Sequence, residues 1–122
     1  EITQGICSSC GAKALVRYNC IAPSVYNDPQ LTSILEQAAV TVLGVNQVVQ
    51  LEQPSLGAED FAELLQGVKG TMFRLGVAGE EGFCAPLHNG QFCPDEGSLK
   101  IGIQVLTSTL LQWMKTYGVS SL

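Results

Sequence analysis

The chain has 122 residues, 46% of them apolar and only 14% charged, with a formal net charge of −5. That length fills one ordinary domain and buries a core without help from disulfides or metal. Its six Lys and Arg lie scattered singly, which sets aside a nucleic-acid binder, and the sparse charge leaves apolar surface to face another polypeptide.

Five cysteines cannot all pair, and no stretch has the basic start and apolar run of a secretory signal. Reduced thiols in a cytoplasmic compartment are the expectation.

Ile2, Ile6 and Cys10 fall at helical spacing from the outset, so the chain reads as one that begins inside an element, as a fragment would. Residues 1–10 are expected to close a helix at Gly11. Residues 12–20 alternate Ala14, Val16 and Tyr18 against Lys13, Leu15 and Arg17, the pattern of a strand. The proline-bearing stretch after Cys20 changes both composition and periodicity, and a boundary is placed there.

Asp28 before Pro29 is a strong helix start: the carboxylate accepts free amide hydrogens and proline fits the first helical position. Leu31, Ile34, Leu35, Ala38, Ala39, Val42 and Leu43 then keep one apolar face up to Gly44. Residues 47–52 form a short strand-type run, and "PSLGAEDFAELLQG" turns into a helix with Glu59 and Asp60 in its first turn. A second apolar strand is expected over 71–79. A last helix runs from about Ser98 to Tyr117, with Leu99, Ile103, Leu106, Leu110, Trp113 and Met114 on its core face. Its polar residues and length argue against a membrane span. Strands alternating with helices from residue 28 onward imply an α/β layer around a largely buried sheet.

Three constellations could carry chemistry. Cys7 and Cys10, spaced C-x-x-C, could hold zinc or cycle as a redox pair, but they end a segment instead of opening a helix after a strand, and structural cysteines are the plainer account. Cys84, His88 and Cys93 put three soft ligands into ten residues, and together with Cys7 and Cys10 they offer more than the four that a tetrahedral zinc site needs. Glu59 and Asp60 complement a helix dipole, or mark a helix start able to hold an anion. His88 is the only histidine, too few for a catalytic metal site with about three protein ligands. The spacings alone leave these alternatives open.

The ordered motifs "SVYNDPQLTSILEQAA", "PSLGAEDFAELL", "GTMFRLGV" and "APLHNGQFCPDEGSLKIGIQVLTSTLL" resemble the C-terminal part of the metal-dependent aminoacylase, hippurate hydrolase and auxin-conjugate hydrolase family. The resemblance implies an α/β catalytic domain with a mixed sheet, interrupted by an α+β satellite domain that dimerises. Residues 1–20 would end the satellite domain, and 21–122 would form the C-terminal part of the catalytic domain. It also implies hydrolysis of N-acyl amino acids by two divalent metals, zinc or manganese. His88 matches the family's C-terminal metal ligand, Glu59 and Asp60 an acidic pair near the site, and Gly57 a glycine close to substrate. The other ligands and the general base match nothing in this chain, so no catalytic residue is expected here and the missing N-terminal part of the same protein is the implied partner. Cys84 and Cys93 match no ligand, and "HNGQF" departs from the H-x-P-x-F form of relatives. A small zinc-cysteine interaction module and a self-associating scaffold stand as the alternatives.

Overall fold

The computed structural model describes residues 1–20, 22–79, 82 and 84–118. In chain order the elements are α1 (Ile2–Ser9), α2 (Pro29–Leu43), a 3-10 turn (Val45–Gln47), α3 (Phe61–Leu64) and α4 (Gly97–Tyr117).

The helix ends follow local chemistry. Asp28 is extended at φ −63° and ψ 125°, and its Oδ1 accepts the amide hydrogens of Gln30 at 3.0 Å and Leu31 at 3.1 Å. Pro29 has no amide hydrogen to strand at that position. Gly44 ends α2 at φ +86°, a conformation that costs glycine little. Gly11 does the same after α1, at φ +69°.

The core is small and lies between α2 and α4. Leu35, Ala39 and Val105 are its buried centre, with Val42, Leu43, Val48, Phe73 and Ile101 packed around them. Each large aliphatic group fully buried there stabilises the fold by roughly 1.5–3 kcal/mol. Gln112 Nε2 donates to Gln37 Oε1 at 3.0 Å and ties the same two helices farther along.

The expected mixed sheet does not form: among the described residues there are helices and turns but no strand. A strand needs a neighbour that takes its amide and carbonyl groups in a regular ladder. The apolar run 71–79 instead spreads its bonds, and those of Gly70 beside it, over separate partners. Gly70 O accepts from Asp28 N at 2.9 Å, and Val77 O accepts from Asp95 N at 2.9 Å. The Asn27 side chain brackets Met72, accepting from its amide at 2.9 Å and donating to its carbonyl at 3.0 Å. Residues 12–20 and 47–52 likewise carry no ladder, and Val49 and Leu51 are exposed. The alternation in 12–20 and the apolar runs in 47–52 and 71–79 meet no adjacent strand among the described residues.

The core face of α4 also differs from expectation. Buried are Ser98, Gly102 and Val105, whereas Leu99, Ile103, Leu106 and Leu110 are exposed. The two stripes sit one residue apart, a rotation of about 100° on a helix. Small residues win the inner face because the neighbours approach closely: a Cβ placed on Gly102 would stand 3.1 Å from Leu75 Cδ2.

Candidate functional site

His88 sits at the tip of the loop between Cys84 and Asp95, and the loop's own hydrogen bonds shape it. Asn89 N donates to Pro86 O at 3.2 Å and Phe92 N donates to Asn89 O at 2.9 Å, giving two successive turns. The Asn89 side chain accepts from Gln91 N at 2.8 Å, a local bond that asparagine forms readily. His88 itself stands at φ +66°, the one positive-φ residue besides glycines among the described residues. That conformation is unusual for a side-chain-bearing residue, and it leaves His88 exposed.

The base of the loop is closed by cysteine and acid. Cys84 Sγ donates to Cys93 O at 3.4 Å, so this pair braces the loop without a disulfide. Asp95 connects it to α4. Its Oδ1 accepts from Gly97 N at 2.7 Å, and its carbonyl accepts from Ser98 N at 3.1 Å and Ser98 Oγ at 2.6 Å. Glu96 occupies the position just before α4 and makes no capping bond with its side chain, so Asp95 is the acid that receives the first amide of the helix.

The acidic pair is local and exposed. Glu59 Oε1 accepts from Phe61 N at 3.2 Å, and Asp60 occupies the position just before α3. The helix they were expected to open is only Phe61–Leu64, and both acids precede it. Gly57 N donates to Ser55 Oγ at 3.2 Å, and a Cβ there would meet nothing closer than 3.5 Å, so packing alone does not demand glycine.

The arrangement does not make a complete metal site. Among the described residues no three His, Cys, Asp or Glu side chains gather where one ion could be held. His88 is not joined there by Glu59 and Asp60. Cys7, Cys10, Cys84 and Cys93 do not assemble with it either, which corrects the zinc-cysteine alternative for this structure. One imidazole fits a site only as a single ligand of a larger set.

A second polar cluster escaped the sequence reading. The Lys69 ammonium lies 3.2 Å from Asp28 Oδ2, beside a shallow cavity of about 250 Å³ lined by Ser24, Tyr26, Leu65 and Val68. The hydrogen bond from Leu31 N, helped by Lys69 and Gln30 N, holds the Asp28 carboxyl below its ordinary range against the opposing effect of burial. The "NDP" run pointed to the cap, but no local pattern joins it to Lys69.

Comparison with known proteins defines the class. The profile described as peptidase family M20/M25/M40 matches residues 8–112, and the chain belongs to that family. A probable hydrolase of Synechocystis sp. is 37% identical over 119 residues, covering 97% of this chain and 30% of its own length. Thermostable carboxypeptidase 1 of Saccharolobus solfataricus is 37% identical over 104 residues, covering 84% of this chain and 25% of its own. An N-acetyldiaminopimelate deacetylase of Geobacillus sp. is 32% identical over 107 residues, covering 88% and 27%. The chain thus spans between a quarter and a third of the length of these relatives. No solved structure matches significantly. Among the described residues no helix is long and apolar enough to cross a membrane.

Proposed function

We propose that these residues supply one arm of the active site of a metal-dependent amidohydrolase, acting on N-acyl amino acids or related amide conjugates in the cytoplasm. The observation that carries the reading is His88, presented in solvent at a braced loop tip within a chain that belongs to the M20 family. The names of the relatives, a hydrolase, a carboxypeptidase and a deacetylase of an N-acetylated amino acid, point to amide cleavage.

In this account His88 offers a neutral imidazole nitrogen to one of two zinc or manganese ions whose remaining ligands lie outside the chain. Such a metal activates water and polarises the scissile carbonyl. Glu59 and Asp60 orient groups around the site, and Gly57 lets backbone approach the substrate. Asn89 and the Cys84 bond shape the loop that carries the imidazole. The missing N-terminal part of the same protein is the obligatory partner, residues 1–20 end a satellite domain, and that domain pairs two copies as a homodimer. The 122 residues alone have no activity.

A panel of N-acyl amino acids tests this on a polypeptide carrying these residues together with a full M20 length. Hydrolysis that stops with a chelator and returns with zinc or manganese is expected. Cleavage indifferent to chelation would refute the reading.

A further inference from the structure

All five cysteines are free thiols, and their surroundings separate one pair from the rest. Cys20 Sγ donates to Ala22 O at 3.4 Å, and Cys10 Sγ meets Ser9 Oγ at 3.9 Å, both contacts to near neighbours in the chain. Cys84 Sγ instead crosses nine positions of sequence to reach Cys93 O at 3.4 Å. A carbonyl oxygen lies about 2.4 Å from its own Cα, so the Cys84 sulfur stands within about 6 Å of the carbon that carries the Cys93 side chain. The residues between them are already folded back on themselves by the bonds from Asn89 N to Pro86 O and from Phe92 N to Asn89 O. Much of the entropy lost in closing a ring between the two thiols is therefore lost already on folding. Cys84 is half-buried next to the buried Ala85, whereas Cys93 is exposed. One sulfur is held in place, and the other is open to a reagent in solvent.

We propose that Cys84 and Cys93 form a reversible disulfide by exchange with a low-molecular-weight disulfide of the glutathione kind, clipping the base of the loop that bears His88. The exposed Cys93 thiolate attacks one sulfur of the glutathione disulfide, an S–S bond forms to Cys93, and one glutathione leaves as its thiolate. Rotation of the Cys93 side chain and a small closing of its exposed segment bring the two protein sulfurs to bonding distance. The Cys84 thiolate then attacks Cys93 Sγ and the second glutathione leaves. The protein thiols lose two electrons, the glutathione disulfide gains them, and the two thiol protons end on the released glutathiones. Excess reduced glutathione runs both steps backwards to the dithiol seen in the structure. The closed ring encloses His88 and Asn89, so oxidation stiffens the loop tip. The inference requires no metal and stands apart from the role assigned to His88.

Equilibration of the 122-residue chain in buffers of graded reduced and oxidised glutathione, followed by alkylation and peptide mapping by mass spectrometry, tests the exchange. The Cys84–Cys93 bond should be the main linkage in native buffer. Its ratio to the dithiol at a fixed glutathione poise should be at least ~10-fold higher than in concentrated urea, because a ring that stabilises the fold is favoured by the fold to the same degree. An equal ratio in urea, Cys7–Cys10 as the main product, or Cys84 and Cys93 left as thiols or separate glutathione adducts would each overturn the proposal. Cys84→Ser should trap Cys93 as its glutathione adduct, and a variant that takes up no glutathione there contradicts the assigned order of attack. In the oxidised chain the amides of Gln91 and Phe92 should exchange hydrogen more slowly than in the reduced one. Unchanged exchange at both would overturn the clip.

Discussion

Replacing Val105 by Ala probes which face of α4 is inside. Val105 is 1% exposed and belongs to the centre shared with Leu35 and Ala39, so truncation removes two methyl groups from packed surroundings. At about 0.8 kcal/mol for each group plus a cavity contribution, the cost is about 2–3 kcal/mol. Leu106, its neighbour in sequence, is 57% exposed, and Leu106→Ala in the isolated chain costs about 1 kcal/mol or less although it removes more carbon. Urea titration of the 122-residue chain followed by helical circular dichroism measures both. A larger loss from Leu106→Ala than from Val105→Ala would mean that α4 is rotated by about 100° from the orientation described, and would refute the reasoning.

Asp28→Ala removes the cap of α2 and should lower the melting temperature on the order of 5 °C in differential scanning calorimetry, while Asp28→Asn keeps an accepting oxygen and loses less. The folded carboxyl titrates below its ordinary value, so its contribution is complete above about pH 4 and fades as pH falls through the lower folded-state value. The stability gap between wild type and Asp28→Asn should shrink over that acid range, and a gap that widens there contradicts the assigned hydrogen bonds. Gly102→Ala gains about 1 kcal/mol of helix propensity but sets a methyl 3.1 Å from the flexible end of Leu75. Thermal melts should therefore show Gly102→Ala near neutral and Gly102→Leu clearly destabilised, and equal losses for both would argue against room at Leu75.

Helix positions were legible from the sequence because their signals are local. Asp28, Pro29 and Gly44 delimit α2 by capping and left-handed geometry, and Ile34, Leu35, Ala38 and Ala39 lie on the buried face that their spacing indicates. The sheet was not delivered, because the alternation in 12–20 and the apolar run in 71–79 specify a surface to cover and not a partner. The orientation of α4 failed for a related reason. Bulky residues mark an apolar face, but here Gly102 and Ser98 take the inner side where close approach favours small groups. At the candidate site, His88 stood out by type and loop position. The Asn89 turn, the Cys84 brace and the Asp28–Lys69 pair depend on distances that residue spacing does not encode.

The role of His88 is tested most directly by metal content and hydrolysis measured together on a polypeptide carrying these residues within a full M20 length, with and without His88→Ala. The account predicts that the variant keeps its circular dichroism spectrum, binds one metal at least ~100-fold more weakly and loses N-acyl amino acid hydrolysis to a similar or greater degree. Full activity and unchanged metal binding in His88→Ala would contradict it.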